Sequence, residues 1–161
     1  MKVLLYAPQY RPNMSSMIRT AEFYGLKYIY IYDENGLLTP PNNKKGRAEM
    51  QHMGRVWTAG AIDHIEINII DSPTDFISSH LGRKVGTLLS DNATSLNAVT
   101  TEENDLLIMG PEKTGLPKEV IDLLDVEVCI PHIGHTDCLN VAVSFGIFMN
   151  KWLGGEDETP A

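Results

Sequence analysis

Short apolar runs alternate with helix-spaced segments along this chain from its first residues to about residue 153, and this alternation constrains the fold more than any other feature. The runs at 2–7, 28–33, 64–70, 84–89, 105–110 and 126–131 are rich in Val, Ile, Leu and Tyr and read as six strands. Segments 14–24, 47–59, 72–82, 117–124 and 139–153 read as helices. In the first of these, Met14, Met17, Ile18 and Ala21 share one face, Asn13 is the expected cap and Gly25 the stop. Ser72-Pro73 has the form of a helix start, while Asn35-Gly36 and Pro40-Pro41 mark turns. Strands and helices in strict alternation form a mostly parallel sheet covered by helices on both faces. The expected fold class is therefore α/β. One domain spans residues 1–161, with a polar, acidic tail from about Gly154.

Apolar residues make up 43% of the 161 positions and charged residues 21%, a balance suited to a soluble globule whose core needs no staple. Two cysteines cannot build a disulfide framework, which points to a reducing, cytoplasmic setting. No run approaches the ~18 apolar residues of a membrane span, and Met1-Lys2-Val3 leads straight into the first strand, so neither anchor nor secretory leader is expected. The net charge of −8 is unevenly placed. Residues 1–60 hold Lys2, Arg11, Arg19, Lys27, Lys44, Lys45, Arg47 and Arg55 against Glu22, Asp33, Glu34 and Glu49, and the tail carries Glu156, Asp157 and Glu158. Because fields are screened beyond ~8 Å, a basic face on an acidic body is compatible with a polyanionic partner. A solvated surface of uneven charge is the alternative.

In α/β sheets ligands bind beyond the carboxyl ends of the strands. The dinucleotide fingerprint is missing there: Ala7-Pro8-Gln9-Tyr10 follows the first strand. Gly110 to Gly115 has the glycine spacing of a P-loop, but Leu116-Pro117 stand where Lys and Ser/Thr are required. That turn is either simply tight or brings backbone close to a ligand. Cys129, His132, His135 and Cys138 form a conceivable zinc set at a non-standard spacing, and no metal is expected. His52, His64 and His80 have no partner set. Hydrolase signatures are absent. The alternating tyrosines of residues 28–32 read as one packed strand face rather than a base-stacking platform.

Three segments, in order, carry a resemblance. Pro12-Asn13-Met14-Ser15-Ser16-Met17-Ile18-Arg19-Thr20-Ala21 resembles the first motif of the SpoU/TrmH branch of the SPOUT RNA methyltransferases. Leu106 to Leu116, an apolar strand followed by G-x-E-x-x-G-L, looks like the second. Cys129-Ile130-Pro131 with Cys138-Leu139-Asn140-Val141-Ala142-Val143-Ser144 is similar to the third. The resemblance covers nearly the whole chain and implies an α/β fold with a C-terminal trefoil knot. It further implies S-adenosylmethionine as methyl donor, a homodimer whose active site draws on both subunits, and 2′-O-methylation of ribose in tRNA or rRNA. By motif, Asn13 and Arg19 belong to the catalytic end and Asn140 helps hold it. Leu89, Gly110, Ile130 and Leu139 would line the cofactor, and Glu112 would fix the second motif's loop. In length the chain resembles the minimal members, which lack an added RNA-binding domain. Cys138 stands where the family usually has Ser, and a thiol is a weaker hydrogen-bond donor.

Methyl transfer to a ribose hydroxyl requires stabilisation of a developing alkoxide. A guanidinium effectively never deprotonates, so the expected role of Arg19 is that of a cation rather than a base. Lys44, Lys45, Arg47 and Arg55 are the expected phosphate track. The competing expectation is a relative that binds cofactor or RNA without catalysis, motivated by Cys138 and the acidic balance.

Overall fold

The structure, a computed structural model, describes residues 1–40 and 42–154; Pro41 and the expected acidic tail from residue 155 lie outside the described residues. Its centre is a seven-stranded sheet. The strands are β1 (Lys2–Tyr6), β2 (Tyr28–Tyr32), β3 (Glu66–Ile69), β4 (Lys84–Thr87), β5 (Thr94–Ser95), β6 (Leu106–Met109) and β7 (Val126–Cys129). They are ordered β3-β2-β1-β6-β4-β7-β5, and every pairing is parallel. The helices are α1 (Arg11–Phe23), α2 (Lys44–Thr58), α3 (Pro73–Ser78), α4 (Lys118–Ile121) and α5 (Val141–Leu153), with a 3-10 turn at Ala61–Asp63.

The pleat divides each central strand between two cores. Val3 and Leu5 of β1, Ile29 and Ile31 of β2, and Leu107 and Met109 of β6 face one way. They pack with Met14, Met17, Ile18 and Ala21 of α1 and with Phe145, Phe148 and Met149 of α5. Leu4, Tyr6, Leu106 and Ile108 face the other way, toward Ile77 of α3 and Val120 of α4. Strands buried on both faces must be apolar throughout, and the LLIM run of β6 is fully buried. Two of the three β2 tyrosines pack as expected of a strand face, Tyr32 5.1 Å from the Tyr6 ring and Tyr30 4.7 Å from Phe76, whereas Tyr28 is exposed.

Several edges differ from expectation. The first helix begins at Arg11 with Pro12 in its opening turn, and its cap, Tyr10, makes no side-chain cap bond. Asn13 is therefore inside the helix and caps nothing. The second helix starts earlier than expected, because the Asn43 side chain accepts from Gly46 N at 2.6 Å. The third stops at Ser78 rather than near Gly82; the chain must turn there so that Gly82 can meet the Asn104 carbonyl, with which any Cβ would collide. β5 has no counterpart among the expected strands: it is two polar residues recruited by pairing with β7. The last helix begins at Val141, capped by Asn140, whose Oδ1 accepts from Ala142 N at 2.8 Å and Val143 N at 3.4 Å.

At the amino end of the sheet, Asp105 is fully buried and well satisfied. Arg83 donates to it through Nε at 2.9 Å and through a terminal nitrogen at 2.8 Å, Trp152 Nε1 donates at 2.8 Å, and the Glu102 amide at 2.9 Å. Burial alone would push its carboxyl up, but the donors outweigh burial and hold it below the usual carboxylate range. Trp152 thereby ties the end of α5 to the sheet.

Candidate active site

The carboxyl ends of β4, β6 and β7 open into a cleft of about 1080 Å³. Leu88 and Leu89 follow β4, the turn from Gly110 to Leu116 follows β6, and Ile130 and Pro131 follow β7. The starts of α1 and α5 close the remaining side with Tyr10, Asn13, Asn140 and Ser144. Leu89 and Leu139 are exposed to 63% and 48%, which leaves apolar surface on the cleft wall. A Cβ at Gly110 would lie 3.0 Å from Leu116 N and 3.2 Å from the Gly115 carbonyl carbon, and Gly115 has φ +66°. A side chain at Gly110 would crowd the turn, and one at Gly115 would be strained by its positive φ.

A chain of hydrogen bonds crosses the mouth of the cleft. Glu112 Oε2 accepts from Gln9 N at 2.8 Å, and Glu112 Oε1 accepts from Asn13 Nδ2 at 3.1 Å. Asn140 Nδ2 in turn donates to Asn13 Oδ1 at 3.1 Å. Lys113 N donates to Gln9 Oε1 at 2.9 Å, so Gln9 pins the turn from a second direction. The polarity of the chain is set from both ends. An ionised Glu112 can only accept, and Asn140 must keep its oxygen toward the two amides it caps. The Asn13 amide therefore has a single satisfactory orientation. Nearby, Lys113 Nζ sits 5.6 Å from the Tyr10 ring centroid.

Of the residues expected at the site, Asn13, Asn140, Leu89, Gly110, Ile130 and Leu139 all line this cleft, and Glu112 fixes the glycine turn. Arg19 does not line it. Six residues along α1 place Arg19 about 9 Å further down the axis and about 120° round from Asn13. Its side chain is exposed and makes no hydrogen bond or ion pair among the described residues. Gln9 and Tyr10 are not among the expected residues; the signal available is their place just past the end of β1, where the strand order reverses. Cys129 and Cys138 are free thiols, and among the described residues no three His, Cys, Asp or Glu side chains are grouped closely enough to hold a metal ion.

A second cavity, of about 520 Å³, lies between α1 and α2. Met14, Ile18, Leu37, Leu38, Trp57 and Ile62 give it apolar walls, and Arg11, Arg47 and Arg55 reach it as well.

The family model described as the SpoU rRNA Methylase family matches residues 1–150. The chain belongs to the SpoU methylase family. Among its relatives, a tRNA (guanosine(18)-2′-O)-methyltransferase of Aquifex aeolicus (strain VF5) is 26% identical over 140 residues, covering 85% of this chain and 61% of the relative. The SpoU chain thus spans less than two thirds of that relative's length. Solved structures share the fold. An AdoMet-bound rRNA methyltransferase from Sinorhizobium meliloti superposes with TM-score 0.74 at 24% identity, covering 93% of this chain and 54% of the other. A structure described as concerning the 2-OH methylation of C/U34 on tRNA gives TM-score 0.70 at 24% identity, covering 91% of this chain and 89% of the other.

Proposed function

We propose that this SpoU family member is an S-adenosylmethionine-dependent RNA methyltransferase acting on a ribose 2′-hydroxyl of tRNA or rRNA, and that it works as a homodimer in the cytoplasm. The observation that carries the reading is the Glu112–Asn13–Asn140 chain, which joins all three motif segments at the mouth of one cleft. The donor, when bound, supplies an electrophilic methyl group on a sulfonium. The cleft suits such a group: Leu89, Ile130 and Leu139 offer apolar contact, and Gly110 and Gly115 of the turn line it without side chains of their own. An AdoMet-bound relative of the same fold supports this assignment.

Asn13 and Asn140, each oriented by its partners, fix polar groups at the rim where the ribose must enter. Holding reactants in attacking geometry can supply ~7–11 kcal/mol of the barrier. Arg19 serves as the cation that holds phosphate and the developing oxyanion. Because it stands on the exposed face of α1, outside its own cleft, we assign it to the cleft of a second copy. The apolar surface left bare on α1 and α5 supports that arrangement: Phe23 is 78% exposed, Val143 54% and Ile147 38%. The knotted crossing implied by the family is proposed for the segment from β7 to α5. Among the described residues no helix is long and apolar enough to cross a membrane.

The test is methyl transfer from labelled S-adenosylmethionine to unmodified total RNA, followed by alkaline digestion. Label in alkali-resistant dinucleotides is the expected result, since a 2′-O-methyl group blocks cleavage. Label on bases would overturn the ribose assignment. Cofactor binding without incorporation would leave a non-catalytic binding protein. RNA affinity should also fall steeply with salt if Lys44, Lys45, Arg47 and Arg55 track phosphates.

A further inference from the structure

We infer that the cavity between α1 and α2 is a pocket for one unstacked nucleotide of the RNA, separate from the methyl-donor cleft. The inference rests on RNA being the substrate, as proposed above. A volume of about 520 Å³ falls within the range of clefts that take small organic ligands. Its chemistry has two parts. The walls are apolar and include the indole of Trp57, the kind of surface on which a base stacks. The rim carries three guanidinium groups. Arg11 commits its Nε to the Leu37 carbonyl at 2.9 Å, which leaves its terminal nitrogens for other acceptors. Arg47 makes one long contact, to the Asn42 carbonyl at 3.4 Å, and the exposed Arg55 side chain makes no hydrogen bond or ion pair among the described residues.

A bare phosphate has no use for an indole and an apolar wall, and an apolar ligand has no use for three arginines. A base with its phosphodiester satisfies both. The rim also holds Asp63, an acceptor for the N–H edge of a base. Thr58 Oγ1, in the same wall, is buried and has no hydrogen-bond partner in the described structure. The first turn of α1 connects the two sites: Asn13 faces the cleft, while Arg11 and Met14 face the pocket. A strand seated in the pocket therefore runs past the mouth of a cleft.

Gly54 makes the pocket testable without breaking the fold. It lies on α2 in the pocket wall, and a Cβ built there meets nothing within 4 Å. Gly54→Leu and Gly54→Phe should fill the pocket and raise the KM for RNA by about 10-fold or more, while the affinity for S-adenosylmethionine and the unfolding temperature hold. Arg55→Glu, which breaks no contact in the described structure, should raise the same KM, but Arg55 also belongs to the proposed phosphate track, so the fluorescence readout that follows is what keeps the test valid if the larger side chains distort α2. Independently of turnover, ribonucleoside monophosphates should quench tryptophan emission in the wild type but not in Trp57→Phe. An unchanged KM in a folded Gly54→Phe protein, or a quench that survives Trp57→Phe, overturns the pocket. A quench carried by Trp57 in a protein that methylates no RNA would instead overturn the methyl-transfer reading and leave nucleotide binding standing.

Discussion

The fixed polarity of the Glu112–Asn13–Asn140 chain predicts an unusual mutational pattern. Replacing Glu112 by Gln keeps its shape but gives it one donor in place of an acceptor. If the new oxygen keeps Gln9 N, the new NH2 faces the Asn13 NH2. Flipping the Asn13 amide only moves the clash to Asn140, which cannot flip without dropping the two amides at the start of α5. One donor must therefore lose its protein partner, at up to about 1–3 kcal/mol where bound ligand shuts water out. If that cost falls on the bound state, it amounts to roughly a 5- to 150-fold loss in kcat/KM. Asn13→Asp alone is also harmful, because it sets a second carboxylate opposite Glu112 at about the 3.1 Å of the present bond. The double variant Glu112→Gln/Asn13→Asp restores a full set. Its carboxylate on α1 accepts from both neighbours, and the oxygen of its new amide in the glycine turn accepts from Gln9 N. Urea unfolding of the four proteins should show the double variant more stable than additivity allows, by about 1–3 kcal/mol. Additive free energies would refute the directional chain.

Other outcomes follow from the same structure. Asp105→Asn should lower stability by about 3 kcal/mol, since Arg83 would lose its buried partner, and the thermal midpoint should fall by roughly 6–12 °C. The folded Asp105 carboxyl titrates below its unfolded value, so its stabilisation is complete above about pH 5 and fades as the pH falls through the carboxylate range. The gap between wild type and Asp105→Asn should therefore narrow in acid, and parallel acid-unfolding curves would count against the network. Arg19→Ala should abolish methyl transfer with cofactor affinity intact, and full activity in Arg19→Lys would exclude a two-pronged guanidinium contact. Ala59→Gly should stabilise the protein by about 0.5–1 kcal/mol in thermal or urea unfolding. Ala59 ends α2 in the left-handed region at φ +51°, which glycine enters without a steric cost.

The central sheet is legible in the sequence because the apolar runs of β1 and β6 are too short for a helix and are bounded by turn residues, as buried parallel strands are. The candidate cleft is legible through the motifs to the extent that Asn13, Gly110, Ile130, Leu139 and Asn140 line it together. What stays hidden is long-range. Asn13 reads as a helix cap because an asparagine before an apolar stripe has that local option. The amide instead answers Glu112, 99 residues away, and Asn140, 127 residues away. β5 has no pattern of its own and exists only because β7 offers an edge. The early stop of α3 depends on the Asn104 carbonyl meeting Gly82, a contact no local window contains. The place of Arg19, outside its own cleft, is a matter of helix phase relative to a neighbour rather than of composition.

Asn140 both starts the last helix and completes the cleft's rim, which gives the order of assembly a definite end point. The rim is stitched from residues 9, 13, 112 and 140, so a nascent chain holds most of the sheet long before it holds a site. The cleft is therefore whole only when segments from both ends of the chain are docked together.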